Sequence, residues 1–96
     1  MYDTEVGRQV RSSFLDLAQH PDQFGDADET QLRERVRAAV DELRLLGWPA
    51  EQVIVRVKEL AAETGLRLGY RSFNQREHPV VAKVVLWCVE RYYERP

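Results

Sequence analysis

The corner Gly47-Trp48-Pro49 constrains the fold most, because it separates two stretches with the apolar spacing of helices. Glycine has no Cβ and adopts the left-handed conformation that often ends a helix, and the apolar residue after it packs back on the last turn. Proline loses no hydrogen bond at the first position of a helix, and its ring presets φ near the helical value. The corner therefore predicts two helices joined by a tight turn.

Apolar residues recur at intervals of three and four on both sides of this corner, which indicates amphipathic helices. The second helix is expected over residues 29–46, after a cap at Asp28 or Thr30, and the third over residues 49–64. Gly65 followed by an apolar residue repeats the stop signal of the corner. The predicted core positions of the two helices are Leu32, Val36, Ala39, Val40, Leu43 and Leu46, followed by Ala50, Val53, Ile54, Val57, Leu60, Ala61 and Thr64.

The first helix is expected over residues 4–19, capped by Asp3 or Thr4, and a polar loop over residues 21–28 follows it. The last helix is expected over residues 79–94, because a proline heads a run too long for a strand without a partner. Its apolar arc covers about 200° of a helical wheel, too wide for a helix that buries one narrow face. That arc comprises Val81, Val84, Val85, Leu86, Cys88, Val89, Tyr92 and Tyr93.

Four helices with short to medium loops predict an all-α fold. We expect a small antiparallel four-helix bundle in which the second and third helices form a tight hairpin at Gly47-Trp48-Pro49. The length of 96 residues suits a single helical domain over residues 1–96.

Composition narrows the classes of function. The 14 basic and 16 acidic residues give a net charge of -2, which does not favour binding of a polyanion by the chain as a whole. The single cysteine excludes an internal disulfide. The start of the chain does not resemble a signal peptide, and no apolar run approaches the roughly 18 residues that a membrane span needs. We therefore expect a cytoplasmic protein with no membrane partner.

Catalytic and metal-binding patterns are missing from the sequence. His20 and His78 lie far apart, and there is no HExxH, CxxC or phosphate-loop motif. His78 is more simply interpreted as the cap of the last helix than as an acid-base group. Cys88 falls in the apolar arc, where a small buried side chain is expected. The sequence therefore predicts a protein that is not an enzyme and has no cofactor or metal site.

Trp87 falls on the narrow polar stripe of the last helix, between Lys83 and Glu90. An exposed tryptophan among charges is typical of a protein interface, because it offers a large contact area with few rotamers to freeze. The alternative is that a loop or the N-terminal segment covers it. The predicted interface comprises Trp87, Lys83, Glu90, Val80 and Tyr93.

A second candidate site is the loop before the last helix. Guanidinium groups that could bind an anion alternate there with aromatic rings that could stack on bases. The alternative is that the rings anchor the loop and the arginines pair with acidic residues of the second and third helices. The residues concerned are Arg67, Tyr70, Arg71, Phe73 and Arg76.

The corner also resembles the turn of helix-turn-helix DNA-binding proteins, with Gly47 at the turn and Val53 and Val57 at apolar positions of the following helix. The resemblance covers about 20 residues and implies DNA reading by the third helix. Leu43 departs from it, because those motifs carry a small residue there. The net negative charge of the third helix also opposes contact with phosphate.

Together these patterns predict a non-catalytic protein-interaction module, such as an adaptor, regulator or accessory subunit. It would bind a protein partner or itself through the last helix, most simply as a homodimer, since most soluble oligomers are symmetric. The alternative is a nucleic-acid-binding regulator that uses the loop over residues 67–76 or the corner.

Overall fold

The computed structural model of the chain describes residues 4–66 and 80–94. These residues form four α-helices and no strand, which confirms the all-α prediction. The helices are α1 (Glu5–Gln19), α2 (Asp26–Leu45), α3 (Ala50–Ala62) and α4 (Val80–Tyr92), with a short 3-10 turn at Pro21–Gln23.

Helix α2 organises the core, because it contacts each of the other three helices and packs most extensively on α4 and α1. Side chains from all four helices meet in one apolar cluster that excludes water, which is the main favourable term in folding. Its members are Val10, Phe14, Leu17, Phe24, Leu32, Val36, Ala39, Val40, Leu43, Val53, Val57, Leu60, Ala61, Val80, Val84, Trp87 and Cys88.

The N-terminal ends of α1 and α2 are capped differently. Thr4 caps α1 as expected, since its hydroxyl oxygen accepts a hydrogen bond from the Gly7 amide at 3.3 Å. Helix α2 begins at Asp26, earlier than predicted, and its cap is Gly25 rather than Asp28 or Thr30. Asp28 instead lies in the first turn, where its carboxylate accepts from the Gly25 amide at 3.0 Å. A carboxylate there also complements the positive end of the helix dipole.

The connection between α2 and α3 depends on the left-handed conformation of Gly47, whose φ is +86°. The Gly47 amide donates to the Arg44 carbonyl at 3.0 Å, and the Trp48 amide donates to the Leu43 carbonyl at 3.1 Å. These two bonds satisfy carbonyls that the end of the helix leaves without partners. Pro49 precedes α3 rather than opening it, with φ -66° and ψ 154°.

The end of α3 repeats the same arrangement, as the sequence predicted. Gly65 has a φ of +91°, and its amide donates to the Ala62 carbonyl at 3.0 Å. The Leu66 amide donates to the Ala61 carbonyl at 3.0 Å. The recurrence shows that the glycine and the apolar residue after it act as a unit in ending a helix.

Leu46 departs from the predicted core of α2, because 64% of it is exposed. It lies past the last helical residue, Leu45, which is itself exposed, so the buried stripe of α2 stops before this end of the helix. Val55, on the outer face of α3, is also exposed.

We expect Gly47→Val to destabilise the protein, because a side chain at this φ is strained even though a Cβ would meet nothing within 4 Å. The cost of placing an L-residue in the left-handed region is about 1 to 2 kcal/mol. Gly47→Asn is the matched control, since asparagine tolerates this conformation and should cost less. Urea unfolding of the two variants measures the difference, and equal stability of the valine variant and the wild type would contradict the assignment.

Candidate functional site

The last helix carries the candidate site, and its burial differs from what the sequence predicted. Val80 and Trp87 were expected in an exposed interface, but Val80 is fully buried and Trp87 is only 9% exposed. Both belong to the core cluster. The expectation of an exposed patch around these two residues is therefore corrected, whereas Lys83, Glu90 and Tyr93 of the same set are exposed.

The rotation of α4 explains the correction, because the buried face, which includes Val80, Val84, Trp87 and Cys88, lies at one edge of the apolar arc rather than at its centre. An arc of about 200° cannot all face the core of a helix that lies at the edge of the domain, so one part of it must be left outside. The structure places Val84, Trp87 and Cys88 inside and leaves Leu86 and Val89 outside. Burying the larger indole ring removes more apolar surface from water than burying either aliphatic side chain.

A forked ion pair holds α4 in this rotation. The Nε and Nη2 atoms of Arg91 each donate at 2.8 Å to the two carboxylate oxygens of Asp41 on α2. The Nη1 atom of Arg91 donates to Glu94 at 2.9 Å, and Arg37 on α2 reaches the same carboxylate oxygen at 3.3 Å. The planar guanidinium fixes direction as well as distance, so the fork specifies which side of α4 meets α2.

This network shifts the pKa of two of its members, Glu94 and Arg91. The hydrogen bond from Arg91 lowers the pKa of Glu94 below its ordinary value, with smaller help from the charge of Arg37. The same contacts, first with Asp41 and then with Glu94, raise the pKa of Arg91, so its guanidinium stays charged. The charges next to Trp87 therefore stay paired at neutral pH.

The C-terminal end of α4 is also tied to the corner between α2 and α3. The Tyr92 hydroxyl donates to the Trp48 carbonyl at 2.8 Å. The Arg44 guanidinium lies 5.9 Å from the centre of the Tyr92 ring, within cation-π distance, and donates to the Glu94 carbonyl at 3.3 Å. Helix α4 is thus attached along α2 and at the corner.

The outward side of α4 presents an apolar stripe of which the sequence analysis named only Tyr93 as an interface residue. Leu86 is 54% exposed, Val89 37% and Tyr93 68%, and Ala82 is exposed one turn before them. At about 100° per residue, these four positions fall within roughly 60° of each other. We call Ala82, Leu86, Val89 and Tyr93 the α4 stripe. Its spacing of four, three and four residues is the signal that could have revealed it.

The other exposed large apolar residues in the described part of the chain do not form such a row. Leu15 lies on α1, Val55 on α3, and Leu45 and Leu46 at the end of α2. Single apolar side chains on a surface are ordinary and need no function. The α4 stripe differs because its side chains line one face of one helix.

A cleft of about 310 Å³ lies beside the buried Trp87 ring, on the other side of α4 from Val89. Charged side chains of α2 and α4 surround it, and several are already paired with one another. Its lining comprises Arg33, Arg37, Trp87, Glu90, Arg91 and Glu94.

The groups considered for catalysis do not form a site in the described residues. Burial raises the pKa of the Cys88 thiol to about 12, so it stays protonated and is a poor nucleophile at neutral pH. His20 is exposed after the end of α1, and His78 lies outside the described residues. Across residues 4–66 and 80–94, no group of three or more potential ligands is placed to hold a metal ion.

The predicted nucleic-acid or anion contacts also lie outside the described residues. These are Arg67, Tyr70, Arg71, Phe73 and Arg76.

Comparison with known proteins assigns no family: the chain matches no protein-family model, no curated protein and no solved structure. None of the helices in the described ranges is long and apolar enough to cross a membrane.

We expect Trp87→Ala to cost about 3 to 5 kcal/mol of stability, because it leaves a large cavity in the core. The matched control is Leu86→Ala, which changes the adjacent but exposed residue and should alter stability by about 0.5 kcal/mol or less. Chemical unfolding at low protein concentration compares the two without a contribution from association. A Trp87→Ala variant as stable as Leu86→Ala would contradict the burial of the ring.

We expect NMR titration to give Glu94 a pKa below its ordinary value, and Arg91→Ala to raise it. Arg37→Ala should raise it less, since the contribution of Arg37 is smaller. Because the pKa is lowered in the folded state, the stabilisation from Glu94 is present above its unfolded pKa and is lost as the pH falls through the folded value. An unchanged pKa in Arg91→Ala would contradict the network.

Proposed function

We propose that the protein is a non-catalytic protein-interaction module that binds a partner through the α4 stripe. The observation that carries the proposal is the exposure of Leu86, Val89 and Tyr93 along one face of the helix. Apolar residues at intervals of three and four on an exposed face are the pattern by which a helix packs against another helix. The partner would therefore present an apolar helix face or a groove of matching shape.

The contacts that α4 makes outside the stripe support this proposal by holding the helix in place. The fork from Arg91 to Asp41 and the hydrogen bond from Tyr92 to Trp48 attach α4 to its neighbours. A surface that is already ordered before binding loses less conformational entropy when a partner docks on it. The stripe therefore has the rigidity that a docking surface needs.

The arrangement of the helices is the second part of the proposal. We propose that α2 and α3 run antiparallel, as a tight hairpin within a small four-helix bundle over one domain. The support is the short turn at Gly47, together with the contacts of α2 with α1, α3 and α4. In such a bundle, the α4 stripe faces away from the shared core.

The proposal is tested by Leu86→Glu in the tagged protein, expressed in the cells that normally make it. A carboxylate at the centre of the stripe should abolish co-purification of the bound protein, because burying an unpaired charge in an interface is costly. Leu15→Glu is the matched control, since Leu15 is 42% exposed but lies on α1. Loss of the bound protein from Leu86→Glu alone is the expected result. If both variants keep it, or both lose it, the stripe is not the binding surface.

A further inference from the structure

We infer that the occupant of the α4 stripe is a second copy of this chain, bound antiparallel through its own α4. This inference rests on the proposed function of the stripe. Three features of the described residues carry it: the spacing of the stripe, the sizes of its side chains, and the residues on its two flanks.

The spacing is that of a two-heptad seam. Leu86 and Tyr93 occupy a positions, and Ala82 and Val89 occupy d positions of the heptad pattern. Such a seam packs against another helix by inserting each side chain into a gap of the facing row. A second copy supplies an identical seam, so each stripe can bury the other.

Side-chain size favours the antiparallel orientation. When two copies of this seam run in opposite directions about a two-fold axis, Leu86 lies opposite Val89 and Ala82 opposite Tyr93. Each layer then combines a larger and a smaller side chain, which keeps the separation of the helices constant. A parallel pair would stack two Tyr93 rings in one layer and leave two Ala82 methyl groups facing each other in another. That uneven spacing would leave a void, which costs packing energy.

The flanks of the stripe agree with the same orientation. Lys83 and Glu90 lie on one side, and the antiparallel register brings Lys83 of each copy to Glu90 of the other. Val85 and Tyr92, both half-buried, lie on the other side and face each other across the two copies. A parallel pair would instead set Val85 against Glu90, an apolar side chain against a charge. Self-pairing is thus complementary on both edges only when the helices are antiparallel.

Lys83 already has a partner within the chain, because its Nζ lies 3.0 Å from Glu29 Oε1. Its side chain is 51% exposed, so the ammonium group keeps donors for a second carboxylate. Glu29 belongs to α2 and adds negative charge on this side of the stripe. The lysine of each copy would then link α2 and α4 of its own chain to α4 of the other.

The size of the seam sets the expected strength of the dimer. Helix α4 has 13 residues and is about 20 Å long. A stable interface commonly buries about 800 Å² on each partner, and a single short helix supplies less than this. We therefore expect association that depends on protein concentration rather than a permanent dimer.

The test uses the purified full-length chain in sedimentation velocity at low salt. The wild type should shift from monomer to dimer as its concentration rises. Lys83→Glu and Glu90→Lys should each weaken self-association about tenfold, because each places like charges opposite one another at both ends of the seam. An equimolar mixture of the two variants should restore it, since the carboxylates of the K83E copy face the ammonium groups of the E90K copy.

The mixture of the two variants is the decisive experiment, because it separates pairing between chains from effects within one chain. Lys83→Glu also breaks the contact with Glu29, but mixing cannot repair that contact. Glu29→Gln is the control for it and should leave self-association nearly unchanged. A mixture that associates no better than the separate variants would overturn the antiparallel pairing.

A wild type that stays monomeric at every accessible concentration would overturn the second copy as occupant. The broader proposal would survive that result if Leu86→Glu still abolished binding of a different protein. The two failures are therefore distinguishable.

Discussion

The forked ion pair between Arg91 and Asp41 ties α4 to α2 and accompanies the rotation that leaves Leu86, Val89 and Tyr93 exposed. Both contacts measure 2.8 Å, and together they fix the rotation of α4 on α2. Surface ion pairs contribute little to stability, so burial of the Trp87 ring supplies most of the free energy that favours this rotation, and the fork adds directional preference. With Arg91 turned towards α2, the neighbouring Trp87 enters the core and Leu86 points outward. The exposed face, which we propose as the docking surface, thus follows from how the opposite face packs on α2.

The ends of the helices supply the second constraint. Two left-handed glycines, Gly47 and Gly65, end α2 and α3 with the same pair of backbone hydrogen bonds. The first of them also sets the position of Trp48, whose carbonyl accepts a hydrogen bond from Tyr92 on α4. The turn that joins α2 and α3 therefore also anchors the end of the helix that carries the stripe.

Local signals in the sequence were sufficient to predict the four helices and most of the core residues. Gly47, Gly65 and Thr4 act where their backbone or capping chemistry predicted. The rotation of α4 could not be obtained in the same way. An apolar arc of about 200° is compatible with several buried faces, and the choice among them depends on partners distant in sequence, such as Asp41. The sequence placed Trp87 on a polar stripe because Lys83 and Glu90 lie on the same side of the helix. Its ring nevertheless gains more free energy from burial than the residues beside it.

The central claim is that α4 buries one face in its own chain and offers the other to a second copy in antiparallel orientation. Isotope-filtered NMR on a mixture of labelled and unlabelled chains tests it most directly, because it detects only contacts between copies. We expect contacts between the Leu86 methyl groups of one copy and the Val89 methyl groups of the other, and between Ala82 and the Tyr93 ring. Contacts of Tyr93 with Tyr93 across the copies, or no contact between copies at associating concentrations, would contradict it.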